Sequence, residues 1–186
     1  MVSDVILLET LAAAFVTDPL YRWLFPDPAT RSEAVRANFE LMLALAHNRG
    51  IVDTDPTGIA VAIWTEPNVE LLDDPTPFLE LLDRWAPTRR DAALAGMARC
   101  ADFARPQDDT LHVLAVHPDH QSRGVAQRLL SPKLRQLDHD GGSTYLESSS
   151  ERNLSVYQRC NFELLGEVGV PDGGPVMRPM RREQQA

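Results

Sequence analysis

The chain has 186 residues, 44% of them hydrophobic and 24% charged, which suits one globular domain over residues 1–186 and excludes collagen, coiled coil and disorder. A formal net charge of −9 argues against a nucleic-acid binder, which presents a basic face. The two cysteines, Cys100 and Cys160, cannot form a disulfide scaffold, and no Cys/His cluster has zinc-ligand spacing, so neither staples nor a metal are expected.

Met1 to Phe15 carries Asp4 and Glu9 without a basic leader, and no apolar run approaches the ~18 residues of a membrane span. The expectation is a soluble cytoplasmic protein. Val5–Phe15 reads as a helix capped by Ser3 or Asp4. Asp18-Pro19 and Phe25-Pro26 punctuate a short helical turn. Thr30-x-x-Glu33 reads as a capping box that opens a helix to about Asn48, with Phe39, Met42 and Leu45 on its apolar stripe. Gly58–Trp64 is apolar almost throughout, as a strand buried on both faces requires, with Ile51-Val52 as its hairpin partner. Two helices follow, Thr76–Ala86 and Thr88–Phe103, separated by Pro87. From Asp53 to Asp91 nine acids face three arginines: a solvated face, or a surface that steers a cationic substrate.

Thr110–Val116 reads as a strand, followed by a turn and a helix from Gly124 to about His139. Ser143–Glu147 is a third strand, and a helix from Ser150 or Glu151 runs to Cys160. Phe162–Val170 and Val176–Met180 read as a closing hairpin that its prolines leave irregular and near an edge, and Arg182–Ala186 as a frayed tail. Strands alternating with helices predict an α/β (α+β) domain on a mixed sheet.

The sharpest feature is the strand–turn–helix around Val116-x-Pro118-x-x-Gln121-Ser122-Arg123-Gly124-Val125-Ala126. The first amides of a helix lack intrahelical partners and sit at the positive end of its dipole, so together they bind anions. Gly124 and Ala126 keep bulk away from those amides, and Arg123 and Arg128 add positive charge. A P-loop or a dinucleotide fingerprint would need glycines that are absent here.

This segment is similar to the acetyl-CoA signature of the GNAT family of N-acetyltransferases. Tyr145-Leu146-Glu147 followed by Asn153-x-x-x-Tyr157-x-Arg159-x-Asn161-Phe162 resembles the family's second acetyl-CoA motif, with Asn161 where the family favours Gly. Thr10–Phe15, Ala60–Pro67 and Leu146–Ser149 resemble the puromycin N-acetyltransferase branch. The resemblance implies a GNAT fold: a central, mostly antiparallel mixed sheet flanked by helices, with the N-terminal edge strand missing. An uncovered edge of that kind invites a second copy, as in a homodimer.

The resemblance also implies site roles. Gln121, Ser122, Arg123, Gly124, Val125 and Ala126 would hold the diphosphate of acetyl-CoA. Leu114, Ala115 and Val116 would pair with its pantetheine arm like an added strand, and Asn153 would touch that arm. Tyr157 would be the general acid for the departing thiolate. Glu147 would be the general base, with Glu66 as a second candidate for base or amine binding. Trp64 and Trp23, with Trp85, Tyr21 and Phe78, are candidates for lining the acceptor site. The implied reaction is acetyl transfer to a small-molecule primary amine. A protein or peptide N-acetyltransferase and a non-catalytic acetyl-CoA-binding module are the alternatives.

Overall fold

The computed structural model describes residues 2–185. Three helices open the chain: α1 (Asp4–Phe15), α2 (Pro19–Leu24) and α3 (Arg31–Arg49). β1 (Ile51–Thr54) and β2 (Ala60–Thr65) form a hairpin, followed by α4 (Thr76–Trp85) and α5 (Arg90–Ala101). Then come β3 (Asp108–Val116), α6 (Val125–Asp140), β4 (Ser143–Ser148), α7 (Glu151–Gln158) and the short strands β5 (Glu163–Leu164) and β6 (Val168–Gly169). β7 (Val176–Arg182) closes the fold. The seven strands form one sheet of order β1-β2-β3-β4-β7-β5, with β6 also on β7; only β3 and β4 pair in parallel. Among the described residues no strand precedes α1.

Helices cover both faces of this sheet, which is why β2 is buried at every position. Val61 and Ile63 pack with Leu11, Val35 and Phe39 from α1 and α3. Ala62 and Trp64, on the opposite face, pack with Leu130, Leu134 and Leu137 of α6 and with Tyr157 of α7. Strand alternation thus feeds two cores from one apolar run.

The sheet is pinned near β4 by ionic contacts. Asp108 at the start of β3 meets Arg181 on β7 at 2.9 Å, with side chains 0% and 7% exposed. Arg181 also donates to the Phe103 carbonyl, and Ser143 donates to Asp108, so neither buried charge is left without polar partners.

Several local expectations give way. Thr30 caps α3 without a side-chain bond, because its hydroxyl donates to Asp27 instead, so no capping box forms. α5 begins two residues later than expected, at Arg90, and β3 two residues earlier, at Asp108, where ion pairing extends it. The closing hairpin does lie near an edge: its first arm supplies the edge strand β5, and β7 sits one strand in, between β4 and β5, with Pro179 opposite Glu147. The terminus, however, is not frayed. Arg182 ends β7, is 4% exposed and reaches Asp138 at 2.7 Å, and the Gln185 amide donates to the same carboxylate at 2.8 Å. Ala186 lies outside the described residues.

Asp108→Ala strands the Arg181 guanidinium in the interior, and a lost buried partner of this kind costs about 3 kcal/mol. Urea denaturation should show a midpoint lowered by that cost divided by the slope, with the slope itself unchanged.

Candidate active site

β3 is the strand that makes the site. Ile63 pairs with Val113 and Trp64 with Leu111, so His112 has no partner on β2 and forms a bulge. On its other side β3 pairs with β4 only from Asp108↔Ser143 to Leu111↔Leu146. Beyond the bulge β3 follows β2, β4 follows β7, and the sheet opens between them.

The amide of His117 donates back to Ile59, so by alternation Leu114 and Val116 turn their backbone groups toward the opening. Gln121 donates its side-chain amide to the Val116 carbonyl at 3.0 Å and fixes the turn. Ser122 and Gly124 both adopt left-handed backbone, φ 61° and 71°. Glycine suits the second position, since a Cβ there would stand 3.3 Å from the Arg128 guanidinium. Arg128 itself folds back onto the Arg123 carbonyl at 2.9 Å. Among the described residues no main-chain carbonyl accepts from the amides of Ser122 to Ala126.

These amides face a cleft of about 550 Å³. Leu114, Val116, Gln121, Ser122, Gly124, Val125 and Ala126 line one side, and Asn153 and Tyr157 on α7 line the other. Ala115 points into the opposite core and Arg123 lies outside the lining. In an acidic chain the cleft has one carboxylate, Asp18, and two arginines that sequence reading missed, Arg152 and Arg159. Asp18 caps α2 through the Leu20 amide at 2.8 Å and accepts from Ser149 at 2.7 Å. Burial pushes its carboxyl above the usual range. Tyr157 is 8% exposed; burial, then the Asp18 charge, raises its phenol well above the ordinary value and keeps it protonated. Asn161 takes the left-handed conformation after α7, φ 63°, which lets Phe162 pack edge-on against Tyr157 at 5.9 Å.

Glu147 is elsewhere. It lines a second cavity of about 200 Å³ with Leu20, Tyr21, Phe78 and Met97. Its carboxylate accepts from the Tyr145 hydroxyl at 3.2 Å. The residue is exposed, yet the packed groups around the carboxyl exclude enough water to push its pKa up. Asp18 lines the first cavity while Leu20 and Tyr21 line the second, so the α1–α2 turn forms a shared wall.

Four residues expected at the acceptor side, Trp64, Trp23, Glu66 and Trp85, lie outside the lining of both cavities, and Trp85 packs against the α1/α3-side core. Trp64 is fully buried in the α6-side core. Trp23 donates to the Asp172 carbonyl at 3.2 Å under the Arg89 guanidinium, an inter-loop clamp. Glu66 is exposed just past β2. Tyr21 and Phe78 do line the second cavity.

A family model described as the acetyltransferase (GNAT) family matches residues 54–162, a span that runs from β1 through the open cleft to Phe162. The chain belongs to the GNAT family. Its fold is the GNAT fold, and it is an acyltransferase by family. Among solved structures it is similar to a histone acetyltransferase HPA2 and related acetyltransferase from Corynebacterium glutamicum. That match has a TM-score of 0.69 at 23% identity and covers 100% of this chain and 94% of that one. A Pyrococcus horikoshii protein matches with TM-score 0.60 at 13% identity over 100% and 96% of the two chains. The PaiA N-acetyltransferase of Thermoplasma acidophilum, in complex with coenzyme A, matches with TM-score 0.54 at 9% identity over 96% and 91%. Among the described residues of this GNAT chain no helix is long and apolar enough to cross a membrane.

The bulge residue carries a pH signature. His112 bonds Thr65 at 2.9 Å; the residue keeps an exposed face, but the groups packed around its ring exclude enough water to lower its pKa to about 4. The unfolded chain therefore takes up the His112 proton first as pH falls from 6.5 toward 4, so stability drops through that window and is whole above it. Thermal melts at pH 7 and pH 5 should show a smaller drop in His112→Gln than in the natural chain.

Proposed function

We propose that this GNAT protein acts as a single-domain N-acetyltransferase that moves an acetyl group from acetyl-CoA to a primary amine of a small molecule. The observation that carries this reading is the cleft at the sheet opening, with free amides on one side and two arginines on the other. That lining fits a diphosphate, and the strand edge of Leu114 and Val116 fits a chain of amides. The compact second cavity behind the α1–α2 turn favours a small acceptor over an extended peptide.

The Ser122–Ala126 amides, with Arg152 and Arg159, would bind the diphosphate of acetyl-CoA, and Asn153 its arm. When bound, acetyl-CoA supplies an activated acetyl group on sulfur. Glu147 takes one proton from the incoming ammonium, and its raised pKa makes that proton easier to hold. The amine nitrogen then bonds to the acetyl carbon as the carbon–sulfur bond breaks. Tyr157 gives its hydroxyl proton to the departing sulfur and is restored by the second proton that nitrogen sheds; the proton on Glu147 leaves to solvent. Holding both reactants against one sheet opening supplies much of the acceleration.

Tyr157→Phe should lower kcat about 100-fold, the low end of general-acid contributions, while calorimetry shows unchanged acetyl-CoA affinity. Free-thiol release over an amine panel reads the first, and a protein that binds acetyl-CoA yet acetylates no amine would refute the catalytic reading. Glu147 works as a carboxylate, so kcat/KM should fall as pH drops through its raised pKa. Glu147→Gln should be slow at every pH and lack that limb.

A further inference from the structure

The second cavity identifies the kind of acceptor, an argument that rests on the acetyl-transfer reading above. Glu147 is the only charged residue among those lining it, and the other walls are chiefly leucine, methionine, phenylalanine and valine from α2, α3, α4, α5 and the β6–β7 segment. Its polar groups are largely spent on each other. Asn38 donates to the Tyr21 hydroxyl at 2.9 Å, and the Tyr145 hydroxyl serves both Glu147 and the Cys100 carbonyl at 2.8 Å. Among the described residues no basic side chain pairs with Glu147.

A carboxylate that has no counter-ion and stands exposed at the wall of an otherwise apolar cavity gains by pairing with an arriving cation. One carboxylate satisfies one ammonium. A polyamine would have to leave its further charges against methionine and leucine, and a peptide would leave main-chain amides without partners there. At about 200 Å³ the cavity is smaller than the ~300–1,000 Å³ typical of drug-sized ligands. We infer that the acceptor is a monocationic primary amine on a compact apolar body, such as an arylalkyl or branched alkyl amine, with its ammonium on Glu147 and its body among Leu20, Phe78, Met97 and Met177.

The partial desolvation that raises the Glu147 pKa agrees with this, since it favours an arrangement in which the carboxylate either pairs or takes the amine's proton. Met97 is the natural place to test the cavity because it is 46% exposed, so a larger side chain there narrows the cavity without straining a core.

The experiment sets phenethylamine, spermidine and a short lysine peptide against the same protein with acetyl-CoA, and titrates phenethylamine calorimetrically without acetyl-CoA. Phenethylamine should exceed the other two in kcat/KM by at least ~10-fold. Met97→Trp should raise its KM several-fold and abolish its binding heat, with KM for acetyl-CoA unchanged. Preference for spermidine or the peptide, or phenethylamine kinetics blind to Met97→Trp, overturns the acceptor assignment while acetyl transfer stands. Phenethylamine binding that Met97→Trp abolishes, in a protein that acetylates none of the three, supports the assignment and refutes acetyl transfer.

Discussion

One extra residue in β3 organises this molecule. A strand keeps its faces by alternation, and an inserted residue swaps them. Leu111 packs toward α6, while Val113 and Ala115, on the far side of His112, pack toward α1 and α3. Without the bulge, either Leu111 or the Val113–Ala115 pair would face the wrong core. The same residue ends the β3–β4 ladder, because the bulged strand bends while β4 stays straight on β7. Core packing and the opening of the sheet are therefore set by one local device, and neither can be changed without the other.

Charge then divides the space that the opening creates. The first cavity, with unbonded amides from the β3–α6 turn and arginines at α7, suits anions; the second, with one carboxylate in an apolar wall, suits a cation. The divider is the α1–α2 turn, held to the end of β4 by Ser149 donating to Asp18. The buried Asp108–Arg181 pair works at the opposite end of the opening. It clamps the paired half of β3 and β4, so the splay begins at Leu111 and does not run back along the sheet.

Legibility in the sequence followed the range of the forces involved. β2 was readable because burial on both faces leaves a continuous apolar run, and the β3–α6 turn because its glycine and small residues are contiguous. β3's true start was not, since Asp108 and Asp109 look like loop residues until Arg181 and Lys133 arrive from elsewhere in the chain. The tail was misread for the same reason: Asp138, far upstream, orders Arg182 and Gln185. The first cavity draws chiefly on two contiguous motifs, the β3–α6 turn and α7, whereas the second cavity gathers its residues from six separate segments. Trp64 and Trp23 illustrate the cost: an aromatic beside a cleft in sequence is more often core or clamp, and here both are. Asp18-Pro19 was visible as punctuation, but nothing local says that Asp18 faces Tyr157.

That facing has a consequence for proton bookkeeping in the proposed reaction. Asp18 and Tyr157 both carry negative charge when ionised, both are raised by burial, and the Asp18 charge adds to the rise at Tyr157. Two such groups in one cleft do not both ionise readily, so the pair holds at least the phenol's proton across the physiological range. The phenol is then reliably an acid in waiting but a reluctant one, since a raised pKa opposes release. Protonating Asp18 would lower that resistance, and so would positive charge from Arg152 or Arg159 on the same cleft wall. In the proposed reaction the charge state of the cleft would therefore tune the readiness of Tyr157 as an acid, with Asp18, the cap of α2, among the groups that set it.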